Sequence, residues 1–131
     1  MVRYNVRMRM CFKRVILVWM LLVLLIACTK RHARILAGMY ACKVTYQYWD
    51  MRPTYIDTVY YQDLEIKRNG KYLIILNTSI HVDSLWNENI YQVGSPSSFL
   101  KVQFKGDSIF IYTSNGGMGG RSTFQYSGKQ K

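Results

Sequence analysis

The sequence predicts an all-β protein: a single antiparallel β-sandwich or small β-barrel of about seven or eight strands, preceded by a signal-peptide helix. Three observations lead there. From Gly38 onward apolar residues recur with a period of two rather than 3.6, the spacing of a strand with one buried face. The runs are rich in Tyr, Val, Ile and Thr, whose aromatic and branched side chains suit a pleated surface. Each run is short and ends at Gly, Asn, Asp or Pro, the residues that turn a chain.

The first run covers residues 40–49, with Tyr40, Cys42, Val44, Tyr46 and Tyr48 on one face and Ala41, Lys43, Thr45, Gln47 and Trp49 on the other. Arg52-Pro53-Thr54 interrupts it, and a second run follows over residues 55–61. A third run, residues 63–67, and a fourth, residues 72–76, read as a hairpin around Asn69-Gly70, a pair suited to a type I′ turn. A fifth strand is expected over residues 79–85, with Ile80 and Val82 opposed to His81 and Asp83. Residues 86–89 read as a turn into a strand at 90–93, and residues 94–98 as a loop. Leu100, Val102 and Phe104 then lead into Gly106-Asp107, a two-residue turn with Gly first. That turn pairs Phe104 with Ile109 and Val102 with Ile111, all four facing one core. Residues 116–120 read as a mobile glycine loop, residues 122–126 as a last strand, and the rest as a polar basic tail.

Upstream of these strands the chain changes character. Residues 1–14 carry Arg3, Arg7, Arg9, Lys13 and Arg14 and no acid, and residues 15–27 carry no charge. A basic segment, a short apolar segment and a small residue before a cut are the parts of a secretory signal. A membrane-crossing helix needs about 20 apolar residues, more than this run supplies before Lys30 and Arg31. Leu25-Ile26-Ala27-Cys28 at its end resembles the lipobox of bacterial lipoproteins. The resemblance implies lipid on the Cys28 sulfur, cleavage between Ala27 and Cys28, and acylation of the new amino group. It implies no cofactor beyond that covalent lipid. Several acyl chains would hold the protein on a bilayer, since each buried methylene contributes about 0.8 kcal/mol. In the family Asp after the cysteine retains a protein in the inner membrane. Thr29 stands there instead, which points to the outer membrane, and basic Lys30-Arg31-His32 points to its periplasmic face. The expected organisation is a signal peptide at 1–27, a tether at 28–37 and a β-rich domain at 38–131. The proportions of that domain are similar to those of lipocalin-like β-lipoprotein domains, a likeness that carries no function.

The chain has 18 Lys and Arg against 7 Asp and Glu, a net charge of +11. Five of the 18 lie before Cys28, which leaves 13 against 7, or +6, for the lipidated form. In an envelope that excess suits lipid headgroups, anionic envelope polymers or another envelope protein, and not nucleic acid. It also disfavours inhibition of basic lysozymes. With Cys11 removed and Cys28 lipidated, Cys42 stands alone, so no internal disulfide is expected and Cys42 reads as a buried, inert thiol.

Candidate chemistry is sparse. His81 and Asp83 would share a strand face with Ser79, and with Ser84 next in the chain they are the one cluster that suggests an envelope hydrolase. A row on one strand does not converge as a nucleophile and base must. The expectation is therefore a non-enzymatic binding or structural role, with no catalytic residues and no metal site. The candidate ligand or partner contacts are Trp49, Tyr61, Trp86 and Tyr91, placed at strand ends or on the outer face, and Arg121 beside the glycine loop.

Overall fold

The computed structural model describes residues 14–24, 32–51, 55–85 and 89–131. Alternating side chains build eight strands: β1 (Gly38–Asp50), β2 (Tyr55–Asn69), β3 (Tyr72–Ile75), β4 (Thr78–His81), β5 (Ile90–Ser95), β6 (Ser98–Lys105), β7 (Ser108–Gly117) and β8 (Gly120–Gln130). They form one antiparallel sheet in the order β4-β3-β2-β1-β8-β7-β6-β5, nearly closed into a barrel. A single curled sheet decides for the barrel over the sandwich. The pairing of β1 with β8, in the middle of the sheet, joins the two halves of the domain.

Cross-strand partners share a face, so the register defines the interior. One inward row runs Tyr91, Val102, Ile111, Tyr126, Val44, Tyr60 across β5, β6, β7, β8, β1 and β2. The core collects at the Gly38 end of the barrel. Tyr40, Cys42, Val44, Leu64, Ile66, Val102, Phe104, Ile109 and Ile111 are buried there with Leu73 and Ile75 of β3 and Ile80 of β4. Residues 32–36 are helical and close that end, sinking Ala33 and Leu36 into the core. The Tyr40 hydroxyl donates to the Leu36 carbonyl at 3.0 Å, and Gln130 Nε2 donates to the Ala37 carbonyl at 3.0 Å. Part of the expected tether therefore belongs to the domain, because its apolar side chains cap the barrel.

At the other end the barrel stays open. β2 pairs with β3 only from Lys67 to Asn69, so from Tyr55 to Ile66 it has a single strand neighbour among the described residues. Its residues 55–63 are all exposed. Tyr46, Tyr48 and Phe124 point inward here but are only half-buried, and the Tyr46 ring lies tilted by 34° against Phe124 with ring centroids 4.6 Å apart.

Several expectations shift in register. The second and third runs fuse into the 15-residue β2, since β1 is long enough to pair along all of it. The turn after β2 is Gly70-Lys71, not Asn69-Gly70: Asn69 pairs with Tyr72, and only Gly70 has positive φ, 60°. The slip leaves every side chain on the expected face because the pairing moves by an even step. A turn with two left-handed residues does occur, at Leu76 (φ 47°) and Asn77 (φ 65°) between β3 and β4. Leu76 tolerates that conformation while packing against the core. Residues 116–120 form no loose loop: Gly116 and Gly117 lie in β7, and Met118-Gly119 is a tight turn. A Cβ on Gly116 would stand 2.3 Å from the Gly120 carbonyl oxygen, which explains the glycine. The expected polar tail is strand as far as Gln130, clamped between β1 and β7.

Residues 14–24 are helical with every side chain exposed, and no described helix is long and apolar enough to cross a membrane. The cleavage and lipidation residues Ala27 and Cys28, like Trp86, lie outside the described residues.

Candidate ligand-binding face

The four strands β1, β8, β7 and β6 carry an outer face on which three registered rows of side chains cross the sheet. One row reads Thr45, Gln125, Tyr112, Lys101. The next reads Tyr61, Lys43, Ser127, Phe110, Gln103, starting on β2. The third reads Asp63, Ala41, Lys129, Ser108, Lys105. Lys43, Tyr61, Phe110, Gln125 and Ser127 of these rows are exposed, and Thr45, Lys101, Gln103 and Tyr112 are half-buried among them. Two adjoining depressions result, of about 770 Å³ and about 520 Å³, which share Lys43, Phe110 and Ser127 as lining.

The charges on this face are uneven. The smaller depression is lined by Lys43, Thr45, Lys101, Gln103, Phe110, Tyr112, Gln125 and Ser127 and by no carboxylate. In the larger one Asp63 holds the Lys131 ammonium at 2.6 Å, and Lys129 lies 3.4 Å from Asp107. Asp107 accepts from the Ser108 hydroxyl, and this bond, followed by Lys129, holds its carboxyl below the usual carboxylate range. Acids and bases thus neutralise one another toward the packed end, while Lys43 and Lys101 form no ion pair among the described residues.

The expected contacts scatter. Trp49 is 51% exposed at the open end, directly across from Arg121. Arg121 is exposed but tied down: its Nη2 donates to the Pro96 carbonyl at 2.9 Å, fastening the β7–β8 hairpin to the β5–β6 turn. Tyr61, 79% exposed, borders the outer face opposite Lys43. Tyr91 is not an outer residue. It pairs with Val102 on the inward side and packs on the core, because the register of β5 is set by β6. Sequence reasoning missed Lys43, Lys101, Gln103, Phe110, Tyr112 and Gln125. Each alternates along its strand with residues expected in the core, but nothing in one strand shows which outward residues become neighbours.

The row of His81, Asp83 and Ser84 does not exist. β4 ends at His81, and residues Val82–Ser84 form a 3₁₀ turn whose Val82 is buried. His81 Nδ1 accepts from the Asp83 backbone N–H at 3.2 Å and so caps that turn, while the ring lies edge-on to Tyr72. The arrangement is one of turn stabilisation. Cys42 is buried at 2% exposure, and burial first, then the Asp63 charge, pushes its thiol above the usual 9.0. A thiol held protonated is a poor nucleophile. No group of three or more potential metal ligands occurs among the described residues.

Compared with known proteins, the chain matches no family model, no curated protein and no solved structure.

Proposed function

We propose that the protein is a lipid-anchored β-barrel of the bacterial cell envelope that binds a ligand or partner and catalyses no reaction. The observation that carries this reading is Leu25-Ile26-Ala27-Cys28 behind a basic segment and a short apolar run. Its partners would be the membrane, through lipid on Cys28, and an anionic envelope polymer or another envelope protein. The outer membrane, on its periplasmic side, is the proposed location.

The domain suits such an anchor. Ala33, five residues after Cys28, is already buried in the core, so the free tether would reach at most about 17 Å. The packed end would then lie against the headgroups, where Lys30, Arg31 and Arg34 would each contribute about 1 kcal/mol of attraction to anionic lipid. The open end would point away from the bilayer.

Mass spectrometry of the N-terminal peptide from purified membranes tests the reading. The expected peptide begins at Cys28 and carries a diacylglyceryl thioether and an amide-linked acyl chain. A Cys28→Ser chain should accumulate uncut and lose its stable membrane attachment. A native chain that keeps Met1, or that begins elsewhere with Cys28 unmodified, refutes the anchor.

A further inference from the structure

We propose that the smaller depression on the outer face, between Lys43 and Lys101, is a binding site for an acidic polysaccharide. The inference deepens the binding role above and rests on it, though it does not need the lipid anchor.

The chemistry of the lining narrows the ligand. Two cations and no carboxylate line the depression, so the ligand is an anion. Its positive groups stand at opposite corners. Lys43 and Lys101 are three strand spacings and one side-chain row apart in the register, which places their Cα atoms about 16 Å from each other. A single small anion would meet one of them; a chain with repeated negative groups meets both. Between the corners lie Gln103, Gln125, Thr45 and Ser127, which offer donors and acceptors together, as hydroxyl-rich ligands require. Phe110, 44% exposed, and Tyr112 add apolar ring surface that suits the C–H faces of sugar rings.

The backbone argues against an extended peptide. β1, β8, β7 and β6 are all paired on both sides, so the face has no free main-chain edge to which a strand could be added. A lipid surface fits poorly as well. A flat sheet of headgroups would meet the exposed Lys43 and Phe110 and leave the half-buried Thr45, Gln103 and Lys101 unused.

Equilibrium binding of the full chain in detergent micelles to fluorescent polygalacturonate tests the proposal, with neutral dextran and vesicles of anionic phospholipid as parallel probes. Saturable binding to polygalacturonate is expected, with dextran far weaker. Lys101→Gln and Lys43→Gln should each weaken it about three-fold, and Phe110→Ala about five-fold. Lys71→Gln, which removes the same charge from the β2–β3 turn, should leave it unchanged. Equal losses for Lys71→Gln and Lys101→Gln would mean binding by net charge and would overturn the site. So would binding to vesicles alone, or equal binding of dextran, or binding to no probe. Loss of this site would leave the mass spectrum of the N-terminal peptide untouched, so the two readings fail separately. Phe110→Leu, which keeps apolar volume without the ring, separates stacking from folding, since its melting temperature should match that of the parent.

Discussion

Strands β1, β2, β7 and β8 run through both ends of the barrel, yet only one end fully buries their inward apolar side chains. On β1, Tyr40, Cys42 and Val44 are buried, while Tyr46 and Tyr48, next on the same face, are half-buried. On β2, Leu64 and Ile66 are buried, while Ile56 and Tyr60 are exposed. The residue types are comparable, so hydrophobicity is not the cause. At the Gly38 end the inward side chains meet β3, β4 and the helix of residues 32–36. At the Asp50 end β2 has no further strand beside it among the described residues. Burial follows from the opposing layer, and the packed end alone supplies one.

The sharpest way to break this comparison is to truncate one phenylalanine at each end. Phe104, 2% exposed and 6.5 Å from the Tyr40 ring, should cost about 3–5 kcal/mol as Phe104→Ala. Phe124 lies on the same inner face toward the open end and is half-buried. There Phe124→Ala should cost no more than about 1–2 kcal/mol, because its site is already reached by solvent. Urea denaturation of the two variants measures both. Equal losses would show that the open end is as well packed as the other.

A second test sharpens what the packed end tolerates. Gly128 of β8 sits opposite Cys42, and a Cβ there would stand 2.3 Å from the Cys42 sulfur. Gly128→Ala should therefore destabilise by about 1–3 kcal/mol. Adding Cys42→Ala removes the sulfur and should return part of that loss, although the Ala41 carbonyl oxygen at 3.1 Å remains tight. A double variant no more stable than Gly128→Ala would show that backbone strain, not the thiol, excludes a side chain.

These two sites also show what the sequence reveals and what it hides. Phe104 was legible: it alternates with Val102 and Leu100, and Gly106-Asp107 fixes its pairing with Ile109, as found. Gly128 was not. Ser127-Gly128-Lys129-Gln130 has low strand propensity and reads as a tail, but β1 and β7 pair with it from both sides. Local signals cannot report a partner such as Cys42, 86 residues away. The same long-range pairing hid the candidate site. Lys43 becomes a neighbour of Phe110 only when β8 lies between β1 and β7. His81 and Asp83 erred in the opposite sense: period two continued in the sequence past the end of the strand, because a short 3₁₀ turn also buries one residue, Val82.

A smaller effect follows from titration. Burial raises Cys42 above its usual 9.0, and Tyr40 and Tyr126 above their usual 10.0; nearby negative charges act in the same direction. All three hold their protons more tightly when folded, so the unfolded chain loses them first. Their contribution is fully present below about pH 9 and is lost as pH rises past the usual 9.0 and 10.0 through the higher folded values. Denaturation midpoints between pH 7 and pH 11 should fall with that onset, and Cys42→Ala should delay it toward pH 10. A midpoint flat to pH 11 would mean that these groups are open to water and that the packed end is not sealed.

The least sensitive positions should be Trp49 and Tyr61, large aromatic side chains that a reader of the sequence alone would hesitate to remove. Trp49 is 51% exposed and Tyr61 79% exposed, and neither belongs to the core cluster. Truncation at such sites leaves little cavity and exposes little new apolar surface, so Trp49→Ala and Tyr61→Ala should each change stability by no more than about 0.5 kcal/mol. Thermal and urea denaturation would both show it. A loss above about 2 kcal/mol at either position would mean that the ring is covered in the folded protein, which requires a layer over the open end for Trp49, or over the outer face for Tyr61, that the described residues do not supply. Near-zero values at both would leave their exposure as surface available for contact rather than as a part of folding.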